Sequence, residues 1–426
     1  MRFFLAKEEV APSGSTRKPR FFYGYIIVAV CFLIMVVMHG TYNTFGVFFT
    51  PLEAEFHSTR ALLSGANSFA FFIMGLSSIL VGILADKYGP RIVLTASSLL
   101  FGAGYLLMSQ ANVIWQAYLF FTLAGFGLSA SDIVPLSGVV RWFIKKRGMM
   151  SGIMKVGTGL GMMVMPLVAS VLINNIGWNK SYLVLGTLVL VTVIPLAQFL
   201  RRDPGEMGLL PDGERQPEDK SLSSIEEGLF FREAIRTRQL WMVCGFYFTT
   251  VYCGMTILVH IVPYAEGLDI SKTVAAGIVS TIGGVSMLGR ITMGITGDRV
   301  GHKRAVVTCV IIAVIALSWL QFANQLWMLY LFAIIYGFSH GGFYALISPL
   351  IAGLFGTRSQ GTLLGIVVFS GTLGGSIGMV LSGYIFDITE KYQLAFLILL
   401  IIMIIGLILT ALIKPVSKGK MDGSTD

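Results

Sequence analysis

The sequence predicts an all-α membrane protein of twelve transmembrane helices, arranged as two pseudo-symmetric six-helix bundles. Composition, the number of long apolar runs and an internal repeat support this prediction. Of the 426 residues, 55% are hydrophobic and 12% are charged, and the mean hydropathy is +0.78. Such values exclude an ordinary water-soluble globular protein and indicate a chain that crosses a bilayer many times.

Twelve apolar runs are long enough to cross the hydrocarbon core of a bilayer as helices, which takes about 20 residues each. Helix is the expected state because lipid offers the backbone no hydrogen-bond partners, and the runs lack the alternation of barrel strands. The predicted spans cover about residues 22–49, 61–85, 91–110, 113–140, 149–175, 181–200, 239–265, 273–297, 304–323, 326–354, 361–386 and 393–413.

A central polar stretch, which contains several prolines and glycines, separates the first six spans from the last six. The sequence therefore predicts five parts. They are a cytoplasmic tail at 1–21, an N-terminal six-helix bundle at 22–200, a cytoplasmic linker at 201–238, a C-terminal six-helix bundle at 239–413 and a cytoplasmic tail at 414–426.

The two halves repeat one another. The segment GILADKYGPR, which begins at Gly82, matches GITGDRVGHK, which begins at Gly294, 212 residues later. Parallel six-helix repeats with a binding site between them are typical of secondary transporters. Three glycines of the fifth span also have counterparts in the eleventh span 213 residues later: Gly148, Gly152 and Gly161 match Gly361, Gly365 and Gly374.

Basic residues predict the orientation of the chain. All but six of the 31 lysines and arginines fall on one side; the exceptions are two within spans and four in predicted external loops, Arg60, Lys180, Lys272 and Lys391. This asymmetry predicts cytoplasmic termini and a location in the plasma or inner membrane. The net charge of +9 is then explained by topology and lipid headgroups, so the expected partner is a bilayer and not a nucleic acid.

Other functional classes are disfavoured. The four cysteines lie in apolar runs without metal-ligand spacing, so we expect no metal, disulfide or cofactor. The sequence has no GxxxxGK(S/T) phosphate loop, which makes ATP-driven transport improbable. It also has no nucleophile with an accompanying base, so an enzyme is not expected.

Three charged residues lie deep inside predicted spans: Asp132, Lys155 and Arg290. Arginine stays protonated in proteins, and a charge at the centre of a bilayer costs at least ~2.5–3.5 kcal/mol. The natural partner of its planar five-donor group is a carboxylate. No carboxylate of the C-terminal half lies deep enough, so a substrate carboxylate is favoured over a structural arginine that bonds a backbone carbonyl or extends to the interface.

Lys155 and Arg290 lie at matching depth. Each is eight residues from a charged residue at the cytoplasmic end of its span, Arg147 or Asp298, and is therefore ~12 Å deep. Lys155 is either a second anion contact or the salt-bridge partner of Asp132, and the pair is slightly favoured because an unpaired buried charge is unfavourable. If the pair opens during transport, Asp132 is the best candidate proton carrier.

The segment GILADKYGPR between the second and third spans closely resembles the loop signature of the major facilitator superfamily, and GITGDRVGHK is its weaker second copy. Within that superfamily, Arg141–Gly161 and Thr44–Phe56 resemble the group of monocarboxylate transporters and oxalate/formate antiporters. The resemblance implies the major facilitator fold and alternating access. It also implies that Arg290 binds the substrate carboxylate, because an arginine of the eighth span does so in that group.

Three positions depart from that group. Ser286 and Asn43 stand where monocarboxylate carriers of animal type have an aspartate and a lysine, and Gly371 stands where the antiporters have a lysine. Because the second cation of the antiporters is absent, a monocarboxylate with a short apolar body is the favoured substrate. A dicarboxylate fits instead if Lys155 is free to bind a second carboxylate.

The remaining candidates are polar residues with two interpretations, a functional contact or packing. His39 and Asn43 share one face of the first span, His340 lies in the tenth span, and Tyr118 lies in the fourth. The charged residues of the loop motifs are expected to hold the inward side closed, which is a conformational role: Asp86, Arg91, Asp298 and Lys303.

These observations together predict a secondary active transporter that moves a small organic anion and functions as a monomer. Transport is expected to be coupled to protons or to proceed by exchange. The alternatives are a dicarboxylate/monocarboxylate antiporter of oxalate–formate type and a facilitator-type exporter of a non-carboxylate.

Overall fold

The computed structural model describes residues 22–58, 60–213 and 228–414, which are helical almost throughout. The predicted tail at 1–21 and residues 415–426 of the second tail lie outside the described residues. The described helices are α1 (Gly24–Tyr42), α2 (Phe45–Phe56), α3 (Arg60–Tyr88), α4 (Pro90–Met108), α5 (Ile114–Leu128), α6 (Ala130–Trp142), α7 (Arg147–Phe199), α8 (Phe231–Ala234), α9 (Arg238–Glu266), α10 (Lys272–Val300), α11 (His302–Leu320), α12 (Leu326–Phe355), α13 (Gln360–Thr389) and α14 (Gln393–Leu412).

Eleven helical stretches of the described chain are long and apolar enough to cross a membrane. The pair α1 and α2 forms one stretch, and the pair α5 and α6 forms another. One stretch, α7, has 53 residues and changes direction at Gly177, so it holds two crossings. The predicted all-α membrane fold is confirmed, with twelve crossings once α7 is counted as two.

The turn inside α7 consists of a single residue. Gly177 has φ 81° and ψ 164°, a conformation that residues with a Cβ rarely adopt. The corresponding turn between α13 and α14 contains Glu390, which also has a positive φ of 54°. Both turns therefore contain a residue of positive φ, but ψ differs, at 164° for Gly177 and 17° for Glu390.

The internal repeat of the sequence is repeated in the packing. In the first half, α1 packs on α7, and α3 and α4 pack on α5. In the second half, α9 packs on α13, and α10 and α11 pack on α12. Each contact of the first half thus has its counterpart in the second.

The halves meet along two lines where helices approach closely: α3 against α13, and α7 against α10. We call these the α3–α13 seam and the α7–α10 seam. A Cβ at Gly82 would collide with the carbonyl oxygen of Gly361, and a Cβ at Gly148 would collide with that of Gly294. Glycine is required at both seams because backbone contacts backbone. These contacts lie at the end of the bundle that carries both loop motifs, the motif end.

The described parts of the predicted linker pack on equivalent loops of the two halves. Asp212 Oδ2 accepts hydrogen bonds from the backbone N–H groups of Ile144 and Lys145, at 2.9 and 2.8 Å. Leu229 N–H donates to the Phe355 carbonyl at 2.9 Å. The linker therefore contacts the loop before α7 and the C-terminal end of α12, where the loop before α13 begins.

Candidate functional site

Arg290 of α10 lies between the two halves and is 6% exposed. Its Nη1 donates a hydrogen bond to the backbone carbonyl of Lys155 on α7, in the opposite half. Its Nε is buried without an acceptor in the part of the chain that the structure describes. Within those same residues, no carboxylate forms an ion pair with Arg290. The guanidinium is therefore held across the interface by a neutral acceptor.

Small residues of α7 allow Arg290 to approach this closely. A Cβ at Gly152 would collide with the carbonyl of Arg290, and a Cβ at Gly159 would lie 3.5 Å from its Nη1. The glycines of the predicted fifth span thus act as packing positions, where helix backbones meet. They fix the level at which the guanidinium faces the other half.

Lys155 is 4% exposed and forms an ion pair with Asp132 of α6. The Asp132 side chain is 28% exposed, more than its partner. It lies in the first turn of α6. Pro135 lies inside α6 and provides no backbone N–H to the carbonyl of Ser131.

A histidine completes this polar group. His39 Nε2 of α1 lies 3.2 Å from Asp132 Oδ1 and 3.0 Å from the hydroxyl of Ser131. In this conformation Lys155 has its side chain on Asp132 and its carbonyl on Arg290. Lys155 thus links Asp132 of the first half to Arg290 of the second half.

Aromatic rings of α12 close the site from the second half. The Tyr344 ring centroid lies 5.8 Å from Lys155 Nζ and 5.0 Å from the ring of His340. Tyr247 of α9 lies 6.3 Å from Tyr344. We call the following residues the central cluster: His39, Asp132, Lys155, Arg290, His340 and Tyr344.

Two predicted substrate residues lie elsewhere or have another contact. The Tyr118 hydroxyl donates to the carbonyl of Leu62 at 2.9 Å, on an exposed part of the contact between α5 and α3. The Asn43 amide donates to the His39 carbonyl at 2.7 Å, at the C-terminal end of α1. Tyr118 is therefore not brought to the central cluster, and Asn43 lies beside the cluster with its amide used in ending the helix.

At the motif end, two aspartates bind helix N-termini across the seams. Asp298 of α10 accepts from the N–H groups of Gly148 and Met149 at 2.7 and 2.8 Å. Asp86 of α3 accepts from those of Gly361 and Thr362 at 3.1 and 2.8 Å. A helix N-terminus attracts negative charge, so each carboxylate joins one half to the other.

The two aspartates differ in their side-chain partners. Arg141 Nη2 donates to Asp86 at 2.7 Å and to the carbonyl of Thr357 at 3.2 Å. His302 Nε2 lies 3.3 Å from Asp298. Sequence reasoning assigned no closing role to Arg141. Its position opposite the first loop motif depends on the tertiary contact between α6 and α3, which has no local signal.

The remaining motif residues make contacts within one half. Arg91 Nε donates to the carbonyl of Leu200 at 2.6 Å, and Lys303 Nζ donates to that of Ala411 at 2.9 Å. Each joins the start of one helix to the end of another in the same half. Among the loop-motif residues that the structure describes, hydrogen bonds across the seams are made by Asp86 and Asp298, not by Arg91 or Lys303.

The arrangement combines buried cations at the interface of the halves with hydrogen bonds that join the halves at the motif end. The central cluster has two cations, one anion and aromatic rings at the interface of the halves. No group of three or more metal-ligating His, Cys, Asp or Glu side chains occurs in the described ranges.

Comparisons with known proteins agree with this architecture. The family profile of the Major Facilitator Superfamily matches residues 30–292 and 249–426. The chain is 25% identical over 433 residues to monocarboxylate transporter 12 of Rattus norvegicus, covering 96% of this chain and 88% of that protein. It is 26% identical over 381 residues to the oxalate:formate antiporter of Oxalobacter formigenes, covering 84% of each.

Solved structures share the fold. The major facilitator transporter FucP in its outward conformation superposes with a TM-score of 0.71 at 14% identity, covering 92% of this chain and all of that one. The human organic anion transporter MFSD10 (TETRAN) gives a TM-score of 0.70 at 15% identity, over 91% of this chain and 99% of the other. The resemblance to the monocarboxylate transporter and oxalate/formate antiporter group is confirmed. This chain belongs to the Major Facilitator Superfamily and is a multi-pass membrane transporter.

Proposed function

We propose that the protein is a secondary active transporter of small organic anions, with monocarboxylates favoured, and that Arg290 binds the substrate carboxylate. The observation that carries this proposal is a buried guanidinium at the interface of the halves with a neutral acceptor in place of a protein carboxylate. A carboxylate accepts two parallel hydrogen bonds from a guanidinium. It therefore satisfies donors that the Lys155 carbonyl leaves without an acceptor.

The contact between Arg290 and Lys155 also resembles the structural alternative, in which an arginine bonds a backbone carbonyl. Its position argues for the functional interpretation. Alternating access requires the halves to separate on one side of the site and then on the other. A bond between α7 and α10 breaks when those helices separate, and a substrate carboxylate then provides the replacement acceptor.

The charge of the central cluster favours one carboxylate over two. Lys155 and Asp132 neutralise each other, and Arg290 leaves one net positive charge. One substrate carboxylate balances this positive charge. A dicarboxylate requires Lys155 to leave Asp132, and the Asp132 carboxylate then lies inside the protein without its cation. An antiporter of oxalate–formate type is the second candidate, supported by the 26% identity to such a protein.

Asp132 is the proposed proton carrier because its side chain is the more exposed member of the ion pair. Protonation of Asp132 would release Lys155, and His39 lies close enough to exchange a proton with it. Exchange of one anion for another is the alternative source of energy. We further propose that the motif end faces the cytoplasm of a plasma or inner membrane and that the monomer is the functional unit.

Uptake into proteoliposomes tests the proposal. Purified protein is reconstituted, and a panel of labelled carboxylates is offered with an inward proton gradient and, separately, with unlabelled anion inside for exchange. We expect accumulation of at least one monocarboxylate that depends on the gradient or on the internal anion. No uptake and no exchange across the panel would contradict the proposal, and exchange restricted to dicarboxylates would favour the second candidate.

A further inference from the structure

The contacts of His39 fix which of its ring nitrogens carries a hydrogen. Nε2 lies 3.0 Å from the Ser131 hydroxyl oxygen and 3.2 Å from Asp132 Oδ1. The Ser131 hydroxyl donates its own hydrogen to the Leu128 carbonyl at 2.7 Å, and an ionised carboxylate only accepts. Both neighbours of Nε2 are therefore acceptors, so Nε2 is a donor and Nδ1 is the nitrogen that gains or loses a proton.

A proton on Nδ1 changes the charge of the central cluster. The hydrogen bonds of the His39 ring to described residues all involve Nε2, and the side chain is 13% exposed. Histidine changes charge between about pH 5 and 8. With His39 neutral, the two cations and one anion leave one net positive charge. With His39 protonated, three cations and one anion leave two.

Lys155 and His39 contact the same oxygen. The Lys155 ammonium and His39 Nε2 both lie on Oδ1 of Asp132. A buried carboxylate without a cation is strongly unfavourable, and this is what keeps Lys155 on Asp132 while His39 is neutral. A protonated His39 provides a second cation on that oxygen. The ammonium can then leave without stranding the carboxylate.

The ammonium that leaves Asp132 stays near Arg290. Arg290 donates to the backbone carbonyl of Lys155, so the two cationic groups are separated by one lysine side chain and one hydrogen bond. The Tyr344 ring of the second half lies 5.8 Å from Lys155 Nζ. The ammonium therefore already faces the interface of the halves, where a short dicarboxylate can contact both cations.

The other titratable groups around this part of α1 limit which proton is involved. α6 and α7 present Asp132 and Lys155, and α5, which also packs on α1, contains no charged residue. Asp212 binds the loop before α7, at the motif end. A phenol ionises near pH 10 and stays neutral in this range; the phenols of α1, α4 and α5 near this level are Tyr42, Tyr105 and Tyr118. The proton is therefore taken up by His39 or by Asp132, and a variant of His39 separates the two.

We propose that protonated His39 replaces Lys155 as the partner of Asp132, and that the released ammonium binds a second carboxylate of the substrate. The site then selects monocarboxylates at neutral pH and accepts dicarboxylates at acidic pH. The inference rests on the proposed binding of a carboxylate at Arg290. It places the two candidate substrate classes in one site whose charge depends on pH.

Two pairs of acids test this inference: glycolate with oxalate, and crotonate with fumarate. The members of each pair have the same number of carbon atoms and differ by one carboxylate. Dissociation constants are measured by thermal shift on the purified full-length protein at about pH 5.5 and about pH 7.5, where all four acids are largely ionised. One linked proton changes an affinity by at most about tenfold per pH unit. We expect the affinity for the dicarboxylate, relative to its monocarboxylate, to rise about tenfold at the lower pH for at least one pair.

Two variants assign this shift to the proposed residues. His39→Gln keeps a donor near the position of Nε2 but does not titrate, so its affinity ratio should change by about twofold or less with pH. Lys155→Gln lacks the second cation and should also lose the shift. The control is His57→Asn, since His57 is an exposed residue that ends α2 in the left-handed conformation, which asparagine tolerates. This control should keep the full shift.

Several outcomes would overturn the inference. An affinity ratio that does not change with pH in the unmodified protein would do so even if a variant fails to fold, while monocarboxylate binding would leave the proposed function standing. A full shift in His39→Gln would assign the proton to another group, and a full shift in Lys155→Gln would exclude its ammonium as the second contact. Absence of binding by all four acids also contradicts the inference, and the carboxylate panel in proteoliposomes then decides the proposed function separately.

Discussion

Lys155 has two interactions that belong to different halves of the molecule. Its ammonium group pairs with Asp132, whereas its backbone carbonyl accepts from Arg290. A movement of α7 at this residue therefore changes the surroundings of both charges at once. This gives a physical route by which occupation of Arg290 and the state of the ion pair affect each other.

Replacement of Arg290 by lysine keeps the charge but loses the planar fork. We expect Arg290→Lys to weaken carboxylate binding by roughly 10- to 100-fold, because a hydrogen bond to a charged group contributes about 1.5–3 kcal/mol. Binding is measured by thermal shift with the best carboxylate of the panel. The control is Arg299→Lys, at the exposed end of α10. Near-normal affinity of the Arg290→Lys variant would mean that Arg290 does not belong to the binding site.

The ion pair makes a prediction about stability. Asp132→Asn leaves Lys155 buried without its partner and should destabilise the protein by an amount near the lower end of about 3–5 kcal/mol, since Asp132 is partly exposed. Lys155→Met in the same chain should recover most of this loss. Thermal unfolding of the two single variants and the double variant measures the coupling. Additive effects would mean that the pair contributes little.

The same aspartate makes a prediction about pH. If Asp132 carries the transported proton, uptake by the Asp132→Asn variant should lose its dependence on external pH, because an amide does not titrate over that range. Initial uptake rates at several pH values in proteoliposomes measure this. An unchanged pH profile would exclude Asp132 as the proton carrier.

At the residue scale, the sequence made the proximity of Asp132 and Lys155 predictable, because both lie at similar depth on consecutive spans. A backbone carbonyl was one predicted alternative for Arg290, but its identity as the carbonyl of Lys155 could not be predicted. It depends on the close approach of α7 and α10 that Gly152 permits, and such an approach is set by tertiary packing. The contact of Tyr118 with Leu62 could not be predicted for the same reason, since depth along a helix does not fix which neighbour a side chain contacts.

At the scale of elements, the helix ends hold the halves together. Each seam has a carboxylate from one helix on the N-terminal N–H groups of another. Helix existence and order followed from apolar runs alone, and these predictions agree with the structure. The boundaries were less accurate. The break between α1 and α2 at Asn43 lies inside one predicted span, because neither proline nor glycine marks it.

The helix-terminal carboxylates make a prediction about opening. Asp298→Asn should weaken the closed motif end by about 1–2 kcal/mol, the usual range for loss of a helix N-terminal cap, which is a roughly 5- to 30-fold shift toward the open state. Maleimide labelling of Ser151→Cys, a buried position of α7, measures opening above the background of native cysteines, which are all buried.

The control is Asp387→Asn, an exposed position near the C-terminal end of α13, away from the motif end. This substitution should leave the maleimide labelling of Ser151→Cys unchanged. Transport by Asp298→Asn should change in rate more than in selectivity, because the residue does not contact the central cluster. A change in the ranking of substrates would contradict a purely conformational role.

At the scale of the whole molecule, the repeat is preserved in packing but not in polar detail. Glycines at equivalent positions bring the backbones together at both seams, whereas the charges of the central cluster have no equivalent copies. Arg290 corresponds to Ser78 at the 212-residue spacing, and Ser78 donates to the carbonyl of Gly365 at 2.7 Å. The fold was therefore predictable from the repeat. The charged residues of the site were predictable only from their depth inside the spans, because the repeat does not copy them.

Close backbone contact predicts that bulk at a seam blocks closure. Gly148→Leu should abolish transport, because its side chain would meet the backbone of Gly294, and overpacking a close contact typically costs about 1–3 kcal/mol or more. Gly46→Leu is the control, since a Cβ at Gly46 meets open space. Retained substrate binding with lost uptake would distinguish arrested motion from misfolding, and normal uptake by Gly148→Leu would contradict the prediction.

The unequal partners of Asp86 and Asp298 imply an order of events. Across its seam, Asp86 accepts three hydrogen bonds, from the N–H groups of Gly361 and Thr362 and from the Thr362 hydroxyl. Asp298 accepts two, from the N–H groups of Gly148 and Met149. Since the α3–α13 seam has one hydrogen bond more at the motif end, we expect α7 and α10 to part first at that end while α3 and α13 act as the pivot. Faster maleimide labelling at Ser151→Cys than at Ser77→Cys would agree with this order. The duplicated architecture would then open asymmetrically, by rotation about one seam, and not by equal separation at both.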